Sequence, residues 1–159
     1  MTSEKLNMND QAWRRRALTW MIALFCVRLL WLICNPLELV ADEAYYWDWG
    51  RRPAWCYFSK PPMIGWINSV TQWLGLTSEW GVRLPALLCG TLTLWMLWQL
   101  ARRMADERCG WIAAVLGGLA PGALVSSTLM TIDCLLLAAW STCLYACLLY
   151  TSPSPRDRG

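Results

Sequence analysis

The sequence contains no histidine, and none of its eight cysteines stands in a C-x-x-C pair. Zinc sites draw their ligands from those patterns, so a classical zinc centre is excluded. Charged residues make up only 16% of the chain, against about 25% in ordinary soluble domains. The formal net charge of +3 is modest, and no Lys/Arg run is long enough to follow a nucleic-acid backbone. The three consecutive arginines Arg14, Arg15 and Arg16 stand beside an apolar segment, where they read as a membrane-topology signal.

What the chain has instead is oil. Of its 159 residues 57% are hydrophobic, and 13 are Trp, a residue that favours the membrane interface. Ala17 to Cys34 is apolar over the length of a bilayer crossing, which takes about 20 residues. It is too long for a signal-peptide core, and no small-x-small cleavage site follows. The arginines before it place the N-terminus, residues 1–16, in the cytoplasm. Residues 1–13 read as polar, disordered or surface-lying. Arg28 inside this segment is costly in lipid and should face a partner helix or a polar cavity. Cys26, Cys34, Cys89, Cys134 and Cys143 sit in or beside apolar runs and read as small hydrophobes. Cys56, in a polar loop, is the thiol to watch.

Asn35-Pro36 ends the first span, because proline disfavours helix in the residue before it. An outer loop over 35–83 follows. Pro61-Pro62 opens a stretch with apolar residues at Ile64, Ile67, Val70 and Leu74 and polar Asn68, Ser69, Thr71 and Gln72 between them. That pattern predicts an amphipathic helix lying in the interface. Further spans are predicted near 84–101, 110–125 and 129–146. Arg102, Arg103 and Arg108 mark the turn between the second and third as cytoplasmic. Pro121-Gly122 predicts a break near the outer end of the third. Counting spans puts Asp133 at the same membrane face as Asp42. The fold class is therefore all-α integral membrane, with about four transmembrane helices and a large first outer loop.

The loop from Glu38 to Trp66 breaks the apolar pattern. It carries four acids (Glu38, Asp42, Glu43, Asp48), three bases (Arg51, Arg52, Lys60) and many aromatic rings. Solvated loop charges are the plain reading. However, a carboxylate beside Tyr45, Tyr46 and Trp47 can serve as a general base toward a hydroxyl. Lys60, directly before a rigid Pro-Pro, can hold a phosphate as a point charge.

The motifs D-E-A-Y-Y-W, Y-F-S-K-P-P-M-I-G-W, R-L-P-A-L-L and M-T-I-D together resemble the N-terminal part of the polytopic, GT-C type glycosyltransferases. Protein O-mannosyltransferases and the bacterial lipid A aminoarabinose transferase belong to that group. The resemblance runs from about Ala17 to Ala146. It implies inverting transfer of a sugar from a polyprenyl-phosphate donor to a lipid or protein acceptor, in the bacterial inner membrane with the site facing the periplasm. By that resemblance Asp42 is the principal catalytic residue, with Glu43 its neighbour and Asp133 the second acidic position. Lys60 would bind the donor phosphate, with Arg83 as the family arginine, and Tyr45, Tyr46 and Tyr57 would line the pocket. Some relatives carry a metal-binding acid just before the lysine. Here Ser59 takes that place, which weakens the case for a divalent metal without closing it, and no other cofactor is called for.

Two other classes fit the composition. One is a small transporter or channel subunit with Arg28 and Asp133 along a polar path. The other is a structural membrane protein. Residues 147–157, C-L-L-Y-T-S-P-S-P-R-D, resemble one frame of a transposase-type sequencing adapter: TGT CTC TTA TAC ACA TCT encodes Cys147 to Ser152. On that reading 147–159 is a non-native tail on a truncated domain, inactive alone.

Overall fold

A computed structural model describes residues 2–34, 37–58 and 60–151. Among these the regular elements are all α-helices: α1 (Thr2–Cys34), α2 (Ala41–Gly50), α3 (Met63–Trp73), α4 (Glu79–Met104), α5 (Glu107–Leu119), α6 (Pro121–Ser126) and α7 (Ile132–Thr151). Three stretches are long and apolar enough to cross a membrane: Met8–Cys34 of α1, α4 and α7. Their outward faces carry large apolar side chains such as Leu30, Leu88, Leu136 and Trp140. The protein is an all-α integral membrane protein.

The N-terminal residues differ from expectation. α1 begins at Thr2 rather than after the arginines. Residues 2–16 contain neither Gly nor Pro, so nothing in them stops the apolar helix from extending backward. The expected span over 110–125 is two helices. Ala120 is extended (φ −61°, ψ 129°), as the residue before a proline prefers to be, and Pro121 then opens α6. At the other end α7 continues through the expected boundary at Cys147 to Thr151. Asn35-Pro36 and residues 152–159 lie outside the described residues.

Packing divides into two cores. Ala17 and Met21 of α1 meet Trp98 of α4 and Ala114 of α5 at the arginine-bearing end. Tyr46, Ile64, Val82, Ala86, Met130, Cys134 and Leu135 form the other, joining α2, α3, α4 and α7. Between them Arg28 is buried, and its Nη2 donates to the Gly118 carbonyl at 2.8 Å, near the end of α5. This offsets part of the cost of a charge in a span, since the guanidinium sits where the helix dipole is negative and orphan carbonyls need donors, while Arg28 Nε is buried with no partner among the described residues. Gly90 of α4 lets the turn after α6 come close, since a Cβ there would overlap Ser127 Cβ. The approach to Asp133 is thus held from α1 and from α4.

Candidate functional site

The stretch between α1 and α4 contains a helix that its composition hid. α2 starts two residues before Glu43, whose Oε2 reaches back to accept the Val40 N–H at 3.1 Å. That is the carboxylate half of a capping box, and Asp42 and Glu43 both stand in the first turn, where the dipole favours negative charge. α2 packs on α3 through the polar residues of α3. Asn68 Nδ2 donates to the Tyr46 carbonyl (3.2 Å), Ser69 Oγ to Gly50 (2.5 Å) and Gln72 Nε2 to Trp47 (2.6 Å). The Trp47 and Gly50 carbonyls are among the C-terminal ones that a helix leaves unpaired. The polar face of α3 therefore turns inward, with Asn68 and Thr71 buried, while Met63, Val70 and Trp73 are exposed. The amphipathic helix is as predicted; the direction of its polar face is opposite to that of a water-facing one.

Glu43 is the centre of the arrangement. It is 1% exposed, and Arg83 of α4 is 3% exposed. Arg83 Nη2 lies 2.7 Å from Glu43 Oε2, and Nε lies 3.0 Å from Oε1. The Met130 N–H also donates to Oε1, at 2.8 Å. Arg83 spends Nη1 on the Leu37 carbonyl and Nη2 on Glu38, both at 3.0 Å. One ion pair thus joins the loop before α2, α2 itself, α4 and the turn before α7.

This geometry bears on two expected roles. A catalytic carboxylate must meet substrate, and Glu43 has its lone pairs occupied by protein. A phosphate ligand needs free donors in open space, and Arg83 points its own into the pair and into carbonyls. Both are engaged by protein groups.

Asp42 is the opposite case. It is exposed, one residue away on the same turn, and makes no ion pair among the described residues. Asp133, in the first turn of α7, is exposed and equally free of an ion pair. Tyr46 links them. Its phenol is held above the ordinary tyrosine range by burial, then by the negative charges of Asp42 and Asp133, with a smaller push from Tyr45. Both carboxylates therefore act on one buried phenol.

Around Asp133 the surface opens into two clefts. One, of about 590 Å³, is lined by Pro121, Gly122, Thr131, Asp133 and Leu136 among others. The other, of about 250 Å³, is apolar, lined by Pro61, Met63, Ile64, Ile132, Leu135 and Ala139. Lys60, half-buried, directly precedes Pro61 at its edge and makes no ion pair among the described residues. Ser59 lies outside the described residues.

Neither cleft is lined by the three tyrosines. Tyr46 is a core residue. Tyr57 stacks on Trp49 at 4.2 Å between ring centroids, and its hydroxyl accepts from the Ala54 N–H and meets the Trp49 and Arg52 carbonyls at 3.1 and 3.2 Å. It fastens the loop after α2. Tyr45 is half exposed and rests on Trp49. Pro121 and Thr131, which were not among the expected site residues, line the cleft at Asp133; the Pro-Gly break and the M-T-I-D motif were their visible signals.

Residues 59–156 match the family described as dolichyl-phosphate-mannose-protein mannosyltransferase. The chain belongs to that family. The K-P-P and R-L-P motifs fall within the matched residues. The chain is also 33% identical over 112 residues to the lipid A galacturonosyltransferase RgtD of Rhizobium johnstonii. That similarity covers 69% of this chain and 24% of the relative, so the chain spans about a quarter of the relative's length. No solved structure matches.

Proposed function

We propose that this family member contributes the extracytoplasmic catalytic site of a glycosyltransferase that moves a sugar from a polyprenyl-phosphate carrier to a lipid or protein acceptor. The observation that carries the reading is the contrast within one dipeptide. Asp42 is open and unpaired, and Glu43 beside it is buried and saturated. The Asp42 carboxylate accepts the proton of an acceptor hydroxyl as that oxygen attacks the anomeric carbon. The bond from that carbon to the phosphate oxygen breaks, with inversion, and the polyprenyl phosphate leaves with the electron pair. Lys60 offsets the departing charge from the mouth of the apolar cleft, which suits the first isoprene units of the carrier. Asp133 faces the reacting sugar from the α7 side. The family and the galacturonosyltransferase relative support the reaction class; the placing of the site outside the cytoplasm follows the arginine bias of α1 and the turn after α4.

The test supplies membranes carrying the full-length gene product with a polyprenyl-phosphate sugar or with the matching nucleotide sugar. Transfer from the lipid-linked donor alone is expected, with the Lys60→Ala variant raising KM for that donor about tenfold, as one phosphate contact warrants. Transfer from the nucleotide sugar would overturn the reading.

A further inference from the structure

The arginine-bearing end of the molecule, opposite the candidate site, carries a second feature. A cleft of about 390 Å³ opens between the start of the apolar part of α1 and the start of α5, lined by Arg15, Arg16, Thr19, Trp20, Ala23 and Trp111. Trp20 and Trp111 meet edge to face at 6.3 Å and form its wall. Arg16 also lies over the Trp13 ring, at 4.5 Å, which holds that guanidinium near the mouth. Among the described residues neither Arg15 nor Arg16 makes an ion pair. The nearby acid Glu107 is taken by Arg102 at 3.5 Å. Two unneutralised guanidiniums at the mouth of an apolar, indole-walled cleft call for an amphipathic anion.

The helices continue the cleft in the right direction. Trp20 meets Trp111 and Arg28 meets Gly118, so α1 and α5 run parallel away from the arginines. On α1 the face that holds Arg16, Trp20 and Ala23 goes on to Val27 and Leu30, both 61% exposed. From Arg16 to Leu30 is about 21 Å of helix at 1.5 Å per residue, more than the ~15 Å of one leaflet's hydrocarbon.

We propose that this cleft is a binding site for an anionic phospholipid. Arg15 and Arg16 bind the phosphate, the Trp20–Trp111 pair packs against the glycerol and carbonyl region, and an acyl chain follows Ala23, Val27 and Leu30. The site is independent of the transfer reaction and of which sugar is moved.

The test titrates the purified chain in detergent with phosphatidylglycerol, phosphatidylcholine or inorganic phosphate, and counts bound lipid by native mass spectrometry. Phosphatidylglycerol should bind at least about tenfold more tightly than phosphatidylcholine, and the double variant Arg15→Gln/Arg16→Gln should lose about thirtyfold. Arg51→Gln/Arg52→Gln, at the other end, should lose nothing. Ala23→Trp, which fills the cleft and keeps every charge, should also abolish the preference. Equal affinity for the two lipids would overturn the proposal. So would equal loss in both arginine pairs, or full competition by inorganic phosphate.

Discussion

A single dipeptide, Asp42-Glu43, divides the labour of the site. Glu43 looks inward and is bonded by Arg83 and by the Val40 and Met130 N–H groups; Asp42 is exposed and makes no ion pair among the described residues. Two acids side by side in sequence could not be told apart there, because adjacency says nothing of which one a helix turns toward its neighbours. Tyr46 gives this scale its pH dependence. Its phenol pKa is raised in the folded state, by burial first and then by Asp42 and Asp133. A raised pKa means the folded protein holds that proton more tightly than the unfolded chain does. The contribution is therefore intact below the ordinary tyrosine value of about 10 and is lost as pH climbs above it. Thermal unfolding followed from pH 8 upward should show the wild type losing stability more steeply above pH 10 than Tyr46→Phe. Parallel curves would mean that Tyr46 is not held between the two carboxylates.

At the level of elements, the pair α2–α3 is the unit that presents the site. α3 offers Asn68, Ser69 and Gln72 to the last carbonyls of α2, and the two helices come very close at Gly50. A Cβ at that position would stand 2.8 Å from the Asn68 carbonyl carbon and 2.6 Å from Gln72 Nε2. Backbone cannot move aside as a side chain can, so Gly50→Ala should cost about 1–3 kcal/mol, read as a lowered melting temperature. An unchanged value would show that α3 does not cap α2. The long helices α1, α4 and α7 and the amphipathic α3 were legible in the sequence, because apolar runs and 3.6-residue periodicity are local signals. α2 was not. Ten residues of mixed charge and aromatics carry no clear period, and what makes them helical is a long-range ion pair to Arg83 and the cap from α3. The inward turn of the polar face of α3 was hidden for the same reason: its partner is the backbone of α2, and backbone carbonyls leave no mark in a sequence. The break at Ala120 was visible, since Pro121 enforces it locally.

Across the whole molecule, the two ends do different things. One end carries the arginines and the indole-walled cleft; the other carries Asp133 in one cleft, Lys60 next to Pro61 of a second, and Asp42 exposed on the first turn of α2. The convergence of Asp42 and Asp133 on one face was legible from counting apolar runs, because each crossing reverses the side. Which residues fasten that face was not, and the Glu43–Arg83 pair, with Arg28 on the α5–α6 break, supplies the answer. The account stands or falls on separating a catalytic acid from a structural one. Sugar transfer and melting temperature, measured together on Asp42→Asn and Glu43→Ala in the full-length gene product, make that separation. Asp42→Asn should keep the wild-type melting temperature and lose about 10²–10⁴-fold in transfer, the range of a general base. Glu43→Ala strands a buried guanidinium and should cost about 3–5 kcal/mol of stability, with transfer falling only as the folded fraction falls. An Asp42→Asn protein that transfers sugar at the wild-type rate, or a Glu43→Ala protein that is stable but inactive, would contradict it.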